Sequence, residues 1–436
     1  MSGEEKKALI DLGPGGGSKV ERIKLESDHL RGEIAEELQQ DSSRFTEDQV
    51  QLIKFHGIYQ QENRDVRQAR KAAREEKAYQ FMVRSRIPGG VLTAEQYLVE
   101  DALAQRYGNG TLRVTTRQGI QLHGVLKGDL HATIHEINEA LLSTLAACGD
   151  VNRNVMACPA PAASRAHAQV QEVAHRIAMH LAPRSQAYHE IWVDGEQVKT
   201  ISTPEPEAEV EPIYGPTYLP RKFKIGVAFP DDNCIDVYTQ DIGLVAALEV
   251  ERLKGFTVLV GGGMGMTHGK AETYPRLATP LCFADVDEVV EIVETIVTIQ
   301  RDYGDRANRK HARMKYVVEE RGIDWFRHEL EQRLGRHVQN PLPLSWQEAE
   351  DHLGWHRQYD GRWYLGLHIE NGRVKDGATL QLRSGLRHAI EQFGLGVRLT
   401  PQQNILLTDI PTELKEPLTA LLASYSISTN PDEVGT

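Results

Sequence analysis

Residues 113–124 read RVTTRQGIQLHG. Val114, Thr116, Gln118, Ile120 and Leu122 alternate with Arg113, Thr115, Arg117, Gly119, Gln121 and His123. Period-two alternation over this length predicts a β-strand. One of its faces would be mostly apolar or small, and the other would carry two guanidiniums, an amide and an imidazole. So many donors in one row suit an anion, because guanidinium forks bind oxyanions and carboxylates in parallel pairs.

The same pattern returns at 398–407, RLTPQQNILL, which matches RVTTRQGIQL of 113–122 in Arg, Thr, Gln, Ile and Leu at the same five places. Upstream, GGVL before the first helix has a counterpart in GRVK at 372–375. Internal duplication is the natural account, since a half-module cannot cover its own sheet and a second copy can. The second copy keeps Arg398 but has Pro401 and Gln402 in place of Thr116 and Arg117. It is therefore the structural twin, and the charge belongs to the first copy.

Outward from the strand, YQFMVRSRIPGGVLTAEQYLVEDALAQRYGNG predicts a strand, a turn and a helix capped by Thr93 and stopped at 108–110. Helices are predicted over about 24–39, 131–147 and 164–182, with strand-like runs around Phe55 and at AYHEIWVDGE. GDVNRNVMACPAP is a loop whose prolines forbid regular structure. ISTPEPEAEVEPIYGPT, rich in Pro and Glu, separates a second module of strands and a Gly-rich turn, VGGGMGMTHG. There Asp285 is expected to cap an amphipathic helix bearing Val286, Val289, Val290, Val293, Ile296 and Val297.

The chain has 436 residues, 40% of them apolar, enough for two or three domains. Its net charge of −12 excludes nucleic acid or an anionic membrane surface as the main partner, so any anion site must be a local basic pocket. No apolar run approaches the roughly 20 residues of a spanning helix, and MSGEEKKALIDLGPGGGSK lacks a signal-peptide core, so a cytoplasmic location is expected. Cys148, Cys158, Cys234 and Cys282 form no CxxC pair and read as small buried residues, not as a zinc or iron–sulfur motif. His56 and His123, taken singly, read as satisfied core or surface histidines.

Four basic clusters lie in or beside predicted strands: Arg84 with Arg86; Arg113 with Arg117; Arg153 within NRN; and Arg221, Lys222 and Lys224 within LPRKFK. Alternation places Lys222 and Lys224 on the same side. Two such ammoniums repel unless an anion sits between them, and lysine can lower its pKa enough to give up a proton. The Gly-rich turn allows backbone amides to approach a phosphate or carboxylate, but it lacks the spacing of a dinucleotide fingerprint.

In this order, KFHGIYQQENRDVR, VRSRIPGG, RVTTRQGIQLHG, DVNRNVMACPAP, YLPRKFKIGVAFP and LVGGGMGMTHG strongly resemble the siroheme sulfite/nitrite reductase family, in the pattern of its NADPH-linked hemoprotein subunits. The resemblance runs from about residue 20 to the last residues. It implies an α+β fold with duplicated ferredoxin-like sandwich half-domains around a three-layered α/β siroheme module. The implied organisation is a flexible leader over 1–20, a wrapping segment over 21–79, and a first half-domain with the siroheme loop over 80–200. A linker over 201–217, the first half of the siroheme module over 218–339 and the second half-domain over 340–436 complete it.

The implied activity is six-electron reduction of sulfite to sulfide on siroheme coupled to a 4Fe-4S cluster. Nitrite reduction, or a non-catalytic scaffold for the tetrapyrrole or an electron donor, are the rival readings. Carried over by motif, Arg84, Arg153, Lys222 and Lys224 resemble the substrate pocket. Arg113, Arg117, Gln121, His123, Arg221 and the stretch RKHARMK at 309–315, led by Arg309 and Lys310, resemble the residues that neutralise the siroheme carboxylates. Gly261, Gly262 and Gly263 would add backbone amides. The implied partners are sulfite and an NADPH-dependent flavoprotein or ferredoxin. The family's cluster cysteines, in CxxxxxC and CxxxC motifs, are absent before NPDEVGT. A shortened or split chain, lacking the second half of the module and completed by a polypeptide carrying those motifs, is therefore expected.

Overall fold

The structure, a computed structural model, describes residues 17–161, 165–193, 210–230, 232–250, 252–346 and 349–433. Most of the expected leader and the first half of the expected linker lie outside the described residues.

Three five-stranded sheets build the molecule. The first is antiparallel and runs β1 (Ile58–Glu62), β2 (Tyr79–Ser85), β5 (Ile120–Val125), β4 (Leu112–Val114) and β13 (Arg373–Val374). The second runs β11 (Gly354–Arg357), β12 (Trp363–Leu367), β15 (Ile405–Ile410), β14 (Gly396–Leu399) and β3 (Val91–Leu92). Each repeat thus lends one short strand to the other's sheet: β13 pairs with β4, and β3 with β14. The exchange explains why GGVL and GRVK recur, since both feed these strands. The helices Ala94–Arg106 and Leu382–Phe393 pack together, and buried Asp101 accepts from Arg383 Nε at 2.6 Å.

The third sheet runs β10 (Thr279–Asp285), β9 (Arg252–Val260), β8 (Ile242–Glu249), β7 (Ile225–Ala228) and β6 (Met156–Ala157), parallel from β6 to β8 and antiparallel beyond. The helices Arg165–His180, Val289–Tyr303 and Ile323–Leu334 pack on it. Among the described residues no helix is long and apolar enough to cross a membrane.

Residues 113–124 form a hairpin, not the single strand their alternation predicts: β4 ends at Val114 and β5 begins at Ile120. The turn is closed by Thr115, whose N–H donates to Gly119 O at 2.9 Å and whose Oγ1 accepts from Gly119 N at 3.1 Å. Gln118 sits in the left-handed region at φ 50°. Period two survives the turn, so Val114, Ile120 and Leu122 are all buried and Arg113 pairs across with Gln121. The second copy repeats the device: Thr400 N donates to Asn404 O at 3.0 Å, Thr400 Oγ1 accepts from Asn404 N, and Gln403 has φ 71°. The Thr and Gln shared by the two copies are therefore the residues that make the turn.

Thr93 caps its helix through a reciprocal pair with Gln96. AYHEIWVDGE contains the short helix Ala187–Trp192 where a strand was expected. Its buried Ala187, Tyr188, Ile191 and Trp192 recur at helical spacing. Phe55 lies in a turn ahead of β1, and Asp285 ends β10 while Glu288 precedes the helix Val289–Tyr303. His56 is fully buried, accepts from Trp192 Nε1 at 2.7 Å, and is held neutral by burial, with its pKa lowered to about 3.

Candidate active site

The tip of the first hairpin enters the third sheet. Arg117 donates to Gln240 Oε1 at 2.9 Å and to Ile225 O at 2.7 Å. Gln118 pairs with the backbone of Ala157 in both directions, Nε2 to O at 2.8 Å and N to Oε1 at 3.0 Å. Asn154 donates to Arg117 O and Ile87 O, tying the NRN loop to the same tip. That loop lies alongside the LPRKFK segment: Phe223 N donates to Val151 O and Arg153 N to Phe223 O, each at 3.0 Å. Phe223 is buried between half-exposed Lys222 and Lys224, as alternation requires.

Asp241 holds the floor of this region. Fully buried, it accepts from Lys224 N at 2.9 Å and from Arg313 Nε and Nη2 at 3.1 and 2.8 Å. Around Asp241 the cations crowd one another: Lys222 lies near Arg153, Arg313 and Arg221, Lys224 near Arg117, Arg313 and Lys222, and Arg117 near Arg153 and Arg313. Burial and then the Arg153 and Arg313 charges lower Lys222 to about 8. Burial and then Arg117 and Arg313 lower Lys224 to about 7. Burial and then Arg153 lower Arg117 to about 9. Neither lysine ammonium donates to an acceptor among the described residues.

A second row crosses the first sheet. The register places Arg84 opposite Gln121, Gln121 opposite Arg113, and Arg113 opposite Arg373. With its oxygen turned toward Arg84, the Gln121 amide accepts from Arg84 Nε at 3.1 Å and donates to His123 Nε2 at 3.0 Å. Arg84 also donates to Cys148 Sγ at 3.0 Å. Burial and then the Arg113 and Arg373 charges lower His123 to about 4, so it is neutral and free to accept. Arg113, His123 and Arg373 face a cavity of about 560 Å³. Like charges opposite each other on a sheet are destabilising, so Arg113 and Arg373 favour an anion between them, although Glu62 and Asp65 line the same cavity.

The structure thus gathers Arg84, Gln121, His123 and Arg113 in one row and Arg117, Arg153, Arg221, Lys222 and Lys224 in one cluster, and Arg84 links the two, lying near enough to add its charge to those that lower Arg117. Arg309 touches the cluster from its edge but is committed to Asp150 in a bidentate pair at 2.8 and 3.1 Å. Lys310 is exposed, and only its backbone N–H, donating to Asn308, is engaged. The Gly261, Gly262 and Gly263 amides are spent inside the protein, on Asp241 O, Gln240 O and Arg276 O, so they offer nothing to an anion. These glycines are needed for close approach instead: a Cβ on Gly262 would stand 2.2 Å from Tyr238 O. Asp241, Gln240, Asn152 and Arg373 carry site geometry that the sequence did not point to. Arg373 alone had a signal, as the Arg of the GRVK counterpart strand.

The cluster fits an anionic, many-carboxylate cofactor. Arg117 Nε, Arg153 Nε and both polar atoms of Asn152 are buried without a partner among the described residues, and two ammoniums lack acceptors. The chain's cysteines do not fit a four-thiolate cluster. Cys148 lies beside Arg84, and Cys282 is buried within β10 with its thiol pushed up to about 12 by burial. Only Cys158 and Cys234 converge, against the expectation of isolated cysteines, and they meet Asp232 and His352.

Two family descriptions match: the nitrite/sulfite reductase ferredoxin-like half domain over 73–140 and 356–425, and the nitrite and sulphite reductase 4Fe-4S domain over 172–338. The first covers the two hairpin repeats. The sulfite reductase (NADPH) hemoprotein beta-component of Geobacillus kaustophilus is 50% identical over 94% of this chain and 72% of its own length. That of Myxococcus xanthus is 48% identical over 94% and 72%. The solved structure of the Mycobacterium tuberculosis NirA protein superposes with a TM-score of 0.72 at 22% identity, covering 98% of this chain and 70% of that one, and so shares the fold. With its exchanged half-domains, its central sheet and its half-identity to these hemoprotein components, the chain belongs to the nitrite and sulfite reductase family.

Proposed function

We propose that the chain is the hemoprotein component of an assimilatory sulfite reductase, binding sulfite at Arg84, Arg153, Lys222 and Lys224. One observation carries this reading: Lys222 and Lys224, unpaired and crowded by Arg117, Arg153 and Arg313, have pKa values near 8 and 7. Such groups favour an anion and can release a proton at neutral pH.

Siroheme, when bound, supplies the iron at which electrons reach the substrate. Reducing sulfite to sulfide consumes six electrons and removes three oxygens as water, so every oxygen lost needs protons delivered at its own position. Lys222 and Lys224 are placed to hold them. Convergent cations also favour charge that grows on the oxyanion, because their field is set before the reaction. Asp241 keeps Lys224 and Arg313 in place through the Lys224 backbone and the Arg313 fork, without pairing with the Lys224 ammonium. Arg113, Arg117, Gln121, His123 and Arg221 are assigned to the cofactor's carboxylates, with Arg373 and Arg313 added. The described cysteines form no shell for a 4Fe-4S cluster.

The names of the relatives support an NADPH-linked electron donor. The assignment is tested with the holoenzyme reconstituted with siroheme and its electron-donating partner. Sulfide release from sulfite, faster than ammonia release from nitrite, is expected. In Lys222→Ala and Lys224→Ala it should fall by orders of magnitude while siroheme absorption is kept. Unchanged turnover in both variants would remove the lysines from the site, and faster nitrite turnover would reassign the substrate.

A further inference from the structure

Cys158 follows β6, Asp232 and Cys234 lie in the loop after β7, and His352 precedes β11. These are three segments distant in sequence. Their ligand atoms all lie within 4.8 Å of one another. Cys158 Sγ is 3.6 Å from Asp232 Oδ2 and 3.9 Å from His352 Nε2, and His352 Nε2 is 3.1 Å from that same oxygen. Cys158, Cys234 and His352 are all under 9% exposed. In a tetrahedral shell with bonds of about 2.0–2.3 Å the ligand atoms stand roughly 3.3–3.8 Å apart, and the separations of 3.1, 3.6 and 3.9 Å among Cys158, Asp232 and His352 lie near that range.

The supporting contacts are those of a ligand set. Asp232 Oδ1 is occupied by the backbone N–H groups of Cys234 and Glu350, at 2.9 and 3.2 Å, which leaves Oδ2 facing the other three side chains. Behind the imidazole, the half-exposed carboxylate of Glu350 stands 3.6 Å from His352 Nδ1. Gln402 Nε2 holds Cys234 O at 2.7 Å, and Gln171 Nε2 holds Cys158 O at 2.7 Å. His352 itself has φ 55°, a conformation that costs energy and needs compensation from its surroundings.

We propose that Cys158, Asp232, Cys234 and His352 bind one divalent transition ion of the zinc class, separate from the anion site. Two thiolates, an imidazole and a carboxylate select zinc over magnesium or calcium, and four protein ligands close the shell, so the site is structural. It staples the second half-domain, through His352, to the loops after β6 and β7 that carry the third sheet's approach to the hairpin tips.

The test is elemental analysis of the purified full-length chain after exposure to zinc and removal of the excess, followed by zinc K-edge absorption. About one zinc per chain is expected, with sulfur at about 2.3 Å and nitrogen or oxygen at about 2.0 Å in a first shell of two each. Cys158→Ser and Cys234→Ser should each replace one sulfur scatterer or abolish retention. The wild-type spectrum decides the question even if those variants fail to fold. Sub-stoichiometric zinc, zinc retained in the double cysteine variant, iron with labile sulfide at these cysteines, or a Cys158–Cys234 disulfide in the purified chain would each overturn the proposal.

Discussion

Lys224→Met separates a residue kept for function from one kept for folding. The ammonium falls from 10.5 to about 7 because burial and the Arg117 and Arg313 charges disfavour its charged form. At about 1.36 kcal/mol per pH unit, that fall is a ceiling of about 4.8 kcal/mol against folding at low pH. Partial exposure screens it to roughly 2 kcal/mol. The sign follows from proton uptake: between about pH 7 and 10.5 the unfolded chain binds the proton and the folded chain does not, so stability rises with pH through this window. Below pH 7 the full cost is present, and above 10.5 it vanishes. Lys224→Met, similar in length and uncharged, should therefore stabilise the cofactor-free chain by about 2 kcal/mol at pH 6 and by under about 0.5 kcal/mol at pH 10.5. Urea denaturation of both proteins at the two pH values measures the difference. Sulfate, which binds the folded state alone, should raise the wild-type midpoint and leave that of the variant nearly unmoved. Equal differences at both pH values, or destabilisation at pH 6, would refute the placement of this ammonium among cations.

Asp241→Asn keeps the shape but leaves Arg313 and its neighbours without a buried counter-charge. A loss of about 3–5 kcal/mol is expected by denaturation, together with a further fall in the pKa of Lys224. Gln118→Ala should cost more than Gln403→Ala, about 2–4 against about 1 kcal/mol, because Gln118 is fully buried and serves Ala157 and Leu399 together. A double-mutant cycle in urea would show whether the two glutamines couple.

Elements with a strong local signal were legible: the Thr93 cap, the helices Arg165–His180 and Val289–Tyr303 on the third sheet, and the repeat, because capping chemistry and periodicity act over a few residues. Period two cannot, however, tell a strand from a hairpin whose turn has an odd number of residues. Thr115–Gly119 contributes five, so the alternation passes through unbroken and Arg113 still pairs with Gln121. AYHEIW misled for the opposite reason, since its apolar residues suit a strand over so short a run and only tertiary burial selects the helix. The basic residues of the site were legible as residue types, but their neutralisers were not. Asp241 is one acid among many until the fold sets it under Lys224 and Arg313. The meeting of Cys158, Cys234 and His352 is likewise a product of topology, because no local spacing connects loops on three different segments.

The duplication explains how one fold holds both a symmetric frame and an asymmetric site. Gln118 Nε2 donates to Leu399 O at 2.9 Å, and Gln403 Nε2 donates to Val114 O at 2.8 Å. Leu399 and Val114 occupy equivalent places in the two repeats, so the glutamines form a reciprocal pair across the pseudo-twofold. Gly90 and Gly372, at equivalent turns with φ 73° and 68°, each leave room for the partner copy's carbonyl. The frame therefore constrains both copies equally at these positions. One residue earlier in each turn, the constraint is only to reach β7 or the loop between β7 and β8. Arg117 does so at Gln240 and Ile225, and Gln402 at Cys234. Either an amide or a guanidinium meets that need, which leaves position 117 able to carry charge toward Arg153 and Lys224, while position 402 stays neutral beside the Cys158–Cys234 pair. A cation at 402 would press on the thiols and the His352 imidazole, whereas a neutral residue at 117 would remove one of the charges that lower Lys224. The two repeats differ where their two neighbouring sites demand opposite electrostatics, and they agree where the shared frame demands the same hydrogen bonds.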